Sequence, residues 1–142
     1  MKIALLHYHL NPGGVTRVIQ QQVAALKTSC QTIVLSGAPA PADFPSRVMH
    51  VPGIGYDTNR ENIFSPLHTA EGVCDAIRSV WPGGCDILHI HNPLLAKNAG
   101  LLDIIRILAD KGVRLFLQIH DLAEDGRPWS YFRQTPYPAD CH

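Results

Sequence analysis

Runs that are nearly all apolar and too short to form a helix recur along this chain, and between them the apolar residues change to helical spacing. Ile3-Ala4-Leu5-Leu6 and Thr32-Ile33-Val34-Leu35 are two such runs; Asp86-Ile87-Leu88-His89-Ile90 and Arg114-Leu115-Phe116-Leu117-Gln118-Ile119 follow. A strand that alternates apolar and polar side chains is wet on one face, whereas a strand apolar throughout has to be covered on both. The intervening segments supply the cover. Val15, Val18, Ile19, Val23 and Leu26 recur at helical spacing behind Gly13-Gly14. Leu67, Ala70, Val73, Cys74, Ile77 and Val80 form a second stripe, opened by Ser65 as N-cap and by Pro66 at the first helical position, where its missing N–H costs nothing. Leu101, Ile104, Ile105 and Leu108 form a third, in a helix that runs to about Asp110 and is capped by Gly112.

This alternation predicts strands at Lys2–His7, Thr32–Ser36, Arg47–Val51, Asp86–Ile90 and Arg114–Ile119, joined by right-handed crossovers. The expected fold class is α/β: a doubly wound, Rossmann-like parallel sheet of about five strands with helices on both faces and strand order 3-2-1-4-5. Residues 1–142 read as a single domain of that kind. Ala38–Pro45 and Pro52–Glu61 read as loops. The tail from His120 onward reads as polar and loop-like, with Trp129, Tyr131 and Phe132 expected as partly exposed apolar surface.

Composition excludes some classes of function. Lys plus Arg and Asp plus Glu are both 12, so no net charge draws in nucleic acid, and an anionic ligand must be held by local features. No stretch approaches the ~20 apolar residues of a membrane span, and the apolar start, interrupted by His7 and His9, is too short for a signal peptide. Cys30, Cys74, Cys85 and Cys141 show no C-x-x-C or zinc-ribbon spacing and read as reduced thiols in a cytoplasmic protein. Peripheral contact with a membrane stays open, although no basic amphipathic face marks it.

In an open parallel sheet, ligands bind beyond the carboxyl ends of the strands where the strand order reverses. Three segments meet there. Gly13 and Gly14 open a helix whose free N–H groups favour an anion, with Arg17 in its first turn; a tight turn without a ligand and a solvated arginine are the plainer readings. His91 and Asn92 end the fourth strand and can reach the cleft, while His89 is expected to pack in the sheet; His7 and His9 repeat the same H-x-H shape after strand one. His120-Asp121, continued by Glu124, Asp125 and Arg127, follows strand five. His120 is the leading single candidate, since imidazole donates or accepts near neutral pH.

In order, Lys2 to Arg17 with Gly13-Gly14-Val15-Thr16-Arg17, Asp86-Ile87-Leu88-His89-Ile90-His91-Asn92, and Gln118-Ile119-His120-Asp121 with Glu124-Asp125-Gly126-Arg127-Pro128 resemble the N-terminal domain of GT-B glycosyltransferases of family 4, retaining enzymes that use nucleotide-sugar donors. The resemblance implies that Gly13, Gly14 and Arg17 lie at the donor's diphosphate and that His120 contacts the transferred sugar as the catalytic residue. It implies that His9, His91, Asn92, Asp121, Glu124, Asp125 and Arg127 shape the sugar and acceptor side. It implies neither metal nor other cofactor; the partners would be a nucleotide-sugar donor, a sugar or lipid-linked acceptor, and a C-terminal domain of the same protein. That family's second domain carries the nucleotide pocket and an E-x7-E motif, to which nothing in these 142 residues corresponds, so the chain is expected to be one half of such an enzyme and inactive alone. Two alternatives stay open: a metal-dependent hydrolase built on the H-x-H pairs, and a non-catalytic domain that binds a sugar nucleotide or a partner.

Overall fold

The structure, a computed structural model, describes residues 1–59, 64–121 and 128–132. Five parallel strands form one sheet: β1 (Lys2–His7), β2 (Gln31–Ser36), β3 (Val48–His50), β4 (Ile87–His91) and β5 (Leu115–Gln118), in the order β3-β2-β1-β4-β5. Helix α1 (Gly14–Leu26) joins β1 to β2, α2 (Pro66–Val80) leads into β4, and α3 (Leu101–Asp110) joins β4 to β5. The fold is the Rossmann-like α/β arrangement expected, with the order reversing between β1 and β4.

The register assigns every strand residue to a face. Ala4, Leu6, Ile33, Leu35, Leu88 and Ile90 point to the α2 and α3 side, where they pack with Val73, Ile77, Ile104 and Leu108. Ile3, Leu5 and Val34 point the other way, against Ile19 and Val23 of α1. Leu5 is paired with His89 and Leu6 with Ile90, so the two H-x-H histidines of β4 share the α1 face. Coverage is thinner there at the sheet edge: Phe116 of β5 is 50% exposed, where the all-apolar run predicted cover on both faces. Leu67, expected in the stripe of α2, is exposed in its first turn.

Local signals hold in detail. Ser65 caps α2, its Oγ accepting from the His68 N–H at 3.2 Å. Gly112, at φ 77°, ends α3: its N–H donates to Ala109 O at 2.8 Å, and the Val113 N–H reaches Leu108 O at 3.0 Å, the paired bonds of a Schellman turn. Cys30, Cys74 and Cys85 are free, and among the described residues no helix is long and apolar enough to cross a membrane.

One backbone contact sets the position of the loop after β3. A Cβ at Gly37 would collide with the backbone of Ile54 and Gly55, because the end of β2 and that loop touch main chain to main chain. Gly37→Ala is therefore expected to destabilise the fold by about 1–3 kcal/mol, as forced overpacking does. Equal denaturant midpoints for variant and parent would show that the contact gives way freely.

Candidate functional site at the carboxyl edge of the sheet

Beyond β1 the chain runs through Tyr8 and His9 to Asn11, turns, and enters α1. The Thr16 Oγ donates to Asn11 O at 2.7 Å and fixes this loop to the helix it precedes. The N-cap is Gly13, which offers no side chain to the first-turn N–H groups, so the positive end of α1 is open. A cavity of about 220 Å³ lies against it, lined among others by His9, Gly13, Gly14, Tyr56, Lys97 and Asp121. On the other flank of the glycine pair a second cavity, about 470 Å³, is lined by Gly13, Gly14, Arg17, Gln20 and Asp43. Gly13 and Gly14 are thus the wall between two cavities, and the described lining places Arg17 in the second, apart from Lys97 and Asp121.

Five histidines run across the α1 face of the sheet. His7 and His9 meet edge to face at 5.5 Å, His7 and His91 at 6.3 Å, His89 and His91 stack at 4.4 Å, and His91 and His120 stack at 5.1 Å. His91 Nδ1 and His120 Nε2 are 2.8 Å apart, so one carries a proton and the other accepts it. Burial pulls His91 down to about 2, helped by His89, His120 and His7, and pulls His7 down to about 4, helped by His9. His9, His89 and His120 are lowered too, mainly by burial. At neutral pH the row is uncharged, a set of hydrogen-bonding rings rather than a cationic patch.

The structure reverses one expectation within the pair on β4. His91 is 1% exposed inside the sheet, whereas His89 is only half-buried. The strand continues through His91, one residue past its apolar run, where it pairs with Gln118 and its ring packs among those of His7, His89 and His120. Asn92, at φ 52°, is the turning point. Its N–H donates to Gln118 O at 2.8 Å, its side chain reaches His120 and Asp121, and its carbonyl lies 3.2 Å from the Tyr8 hydroxyl. That hydroxyl also reaches Leu95 O at 2.8 Å. Burial raises the Tyr8 phenol far above its ordinary range, so it is a donor at any ordinary pH.

Gly13, Gly14, His9, Asn92 and Asp121 come together at the first cavity. His120 and His91 sit beside it and line neither of the two cavities. Glu124, Asp125 and Arg127 lie outside the described residues. Among the described residues no group of three or more His, Cys, Asp or Glu side chains is arranged to hold a metal ion.

Sequence reasoning missed Tyr56, Leu95, Lys97 and Ser130 among the lining residues, of which Tyr56 and Lys97 bring the most chemistry. Tyr56 stands in the loop after β3, 5.0 Å from the rings of both Tyr8 and His9, and its phenol is raised by burial and by Asp121. Lys97 lies with its ammonium 6.0 Å from the Tyr56 ring. The only local hint was the turn signal of Gly53 and Gly55 just ahead of Tyr56. Of the aromatics expected to be partly exposed near the tail, Trp129 is 69% exposed and Phe132 is partly buried against the main core, whereas Tyr131 is buried and meets Leu95 through an antiparallel bridge.

No protein-family profile matches this sequence, and no curated protein matches it. Solved structures do resemble it in fold. A UDP-glucosyltransferase from Polygonum tinctorium capable of glucosylating indoxyl, solved with 3,4-dichloroaniline, superposes with a TM-score of 0.54 at 12% identity over 86% of this chain and 30% of its own. Phytolacca americana apo UGT2 aligns over 87% of this chain and 30% of its own at 13% identity, with a TM-score of 0.44. The chain spans about 30% of the length of these structures, and the likeness to the Polygonum enzyme is one of fold, a Rossmann-like α/β unit.

Proposed function

We propose that this chain is the N-terminal, acceptor-side domain of a GT-B glycosyltransferase that moves a sugar from a nucleotide-sugar donor to an acceptor. The observation that carries the reading is the glycine wall. Gly13 and Gly14 expose the open N-terminus of α1 to a cavity at the switch point of the sheet, between Lys97 and a row of neutral hydrogen-bonding rings. A diphosphate can approach that main chain because no Cβ stands in the way, and first-turn N–H groups stabilise charge that grows on a leaving phosphate. Neutral rings, amides and hydroxyls suit the hydroxyl groups of sugars. The likeness in fold to the Polygonum enzyme points the same way.

In this reading His120 contacts the transferred sugar beside Asp121, His9 and Tyr56 face the acceptor, and a second domain closes over the cavity to complete the donor pocket and exclude water. The finer assignment to the retaining family 4 rests on the three sequence segments alone.

The test is Gly14→Ala. Its Cβ would meet nothing within 4 Å, so stability is expected to stay within about 0.5 kcal/mol of the parent. In the parent, UDP-glucose should shift the amide resonances of Gly13, Gly14 and Lys97 with a dissociation constant on the order of 1 mM, because a single domain encloses only part of such a ligand. In the variant those shifts should vanish. A parent that shows no shifts with UDP-, GDP- or ADP-glucose, or a variant that binds as the parent does, refutes the reading.

A further inference from the structure

Asn92 stands out as a polar side chain that is 3% exposed, in the left-handed backbone region, and at the point where β4 and β5 part. It is the only non-glycine residue at positive φ among the described residues. Asparagine tolerates that region because its short side chain bonds locally. The consequence for the ladder is specific. The Asn92 N–H still pairs with Gln118 O at 2.8 Å, but the left-handed turn swings its carbonyl away toward the Tyr8 hydroxyl. The ladder's next acceptor is replaced by the side chain: Oδ1 takes the His120 N–H at 2.7 Å and lies 3.4 Å from the Asp121 N–H. The same amide group then donates from Nδ2 to Asp121 Oδ2 at 2.8 Å.

We propose that Asn92 is a positioning residue, which fixes the His120 backbone and aims the Asp121 carboxylate into the cavity, and is not itself a contact of the sugar. The role rests on the reading of that cavity as the reaction site; the clamp itself does not. Asp121 lines the cavity with Tyr56 and Lys97; Asn92 borders the same cavity but is 3% exposed, with its oxygen and one amide proton already engaged. A ligand that meets Asp121 meets a carboxylate whose position is set from behind. Only a side chain carrying both an acceptor and a donor on one short stem does this from a left-handed residue. Aspartate keeps the acceptor and loses the donor; glycine keeps the backbone and loses both.

The experiment compares the intact chain with Asn92→Asp and Asn92→Gly, reading amide hydrogen exchange and the titration of carbon-13-labelled aspartate carboxyls. In Asn92→Asp the two facing carboxylates should titrate as a coupled pair, the upper step more than about one pH unit above the ordinary aspartate range. In Asn92→Gly the His120 and Asp121 amides should exchange about tenfold faster or more, while the core strand amides keep their protection. UDP-glucose should bind Asn92→Gly at least about tenfold more weakly than the parent, with its shifts at Gly13 and Gly14 retained at saturation. Independent carboxyl titrations in Asn92→Asp overturn the clamp. If that variant does not fold, unchanged exchange at His120 and Asp121 in Asn92→Gly overturns it. UDP-glucose binding of equal strength in Asn92→Gly and the parent overturns the positioning role. A parent that ignores UDP-glucose removes the sugar-nucleotide reading, and the positioning role with it, while exchange and titration still decide the clamp.

Discussion

Acidification from about pH 7.5 to 4.5 is expected to strip this protein of several kcal/mol of stability. His7 and His91 titrate in the folded chain near 4 and near 2, while both rings titrate near 6.5 when unfolded. A folded pKa below the unfolded one means that the unfolded chain takes up protons first as pH falls. Stability from these rings is therefore full above about pH 7 and declines below about 6.5. By pH 4.5 each ring has cost about 2.5 kcal/mol, or about 5 kcal/mol together, which is a large share of the ~5–15 kcal/mol that a domain possesses. Mutual repulsion is part of what keeps these rings neutral in the folded chain, since a charge on any one of His7, His91 or His120 opposes a charge on its neighbours. Urea unfolding at the two pH values, followed by near-ultraviolet circular dichroism, measures the effect. Equal stabilities would mean that water reaches the row. His7→Asn should lower the proton uptake on unfolding by about one.

Asn98→Ala is expected to cost about 3 kcal/mol and to loosen one wall of the candidate site. The side chain is fully buried. Its Nδ2 lies 2.8, 3.1 and 2.9 Å from the carbonyl oxygens of Gly53, Ile54 and Gly55, which share its two protons, and its Oδ1 accepts from the Gly100 N–H at 3.1 Å. One amide thus ties the loop after β3 to the entry of α3. Truncation leaves buried carbonyls without a donor, and each such loss costs about 1–3 kcal/mol. The Asp57 carboxylate, accepting from the Ala99 N–H at 2.8 Å, and the Asp57 N–H, donating to Lys97 O at 2.8 Å, give the same loop a second, more exposed hold. Partial rather than complete release is therefore expected: a lower thermal midpoint, with the largest amide shift changes at Tyr56 and Lys97. A change below about 0.5 kcal/mol would show that water replaces the amide at no cost.

The strand order was readable because short all-apolar runs separated by helical stripes leave few other ways to bury both faces of a sheet. Gly112 and Ser65 were readable because their chemistry is local. The side of the sheet on which each histidine would be drawn in was not. An H-x-H pair shows that two rings share a face, but how deeply each is buried depends on how far the strand runs and on where α1 crosses it. His91 is buried because β4 extends one residue beyond its last aliphatic side chain. Tyr56 and Lys97 reach the cavity through the Asn98 hydrogen bonds and the Gly37–Gly55 contact, which join residues far apart in sequence and leave no period to detect. The glycine pair was legible as a helix entrance; that it separates two cavities, with Arg17 on one and Lys97 on the other, comes only from the folded arrangement.

The bond between His91 and His120 also fixes the polarity that His120 shows to the outside. Among the described residues, the buried Nε2 of His91 has no partner. A bare lone pair is tolerated there better than an orphaned N–H, which favours the tautomer with the proton on His91 Nδ1. His120 Nε2 then accepts, and a neutral His120 must carry its own proton on Nδ1. Buried chemistry one strand away in this way decides that the outer ring nitrogen is a donor, one that reads the lone pair of a hydroxyl or carbonyl oxygen and has no basic nitrogen left to offer. Two ring nitrogen-15 shifts, one for each histidine, would display the assignment directly.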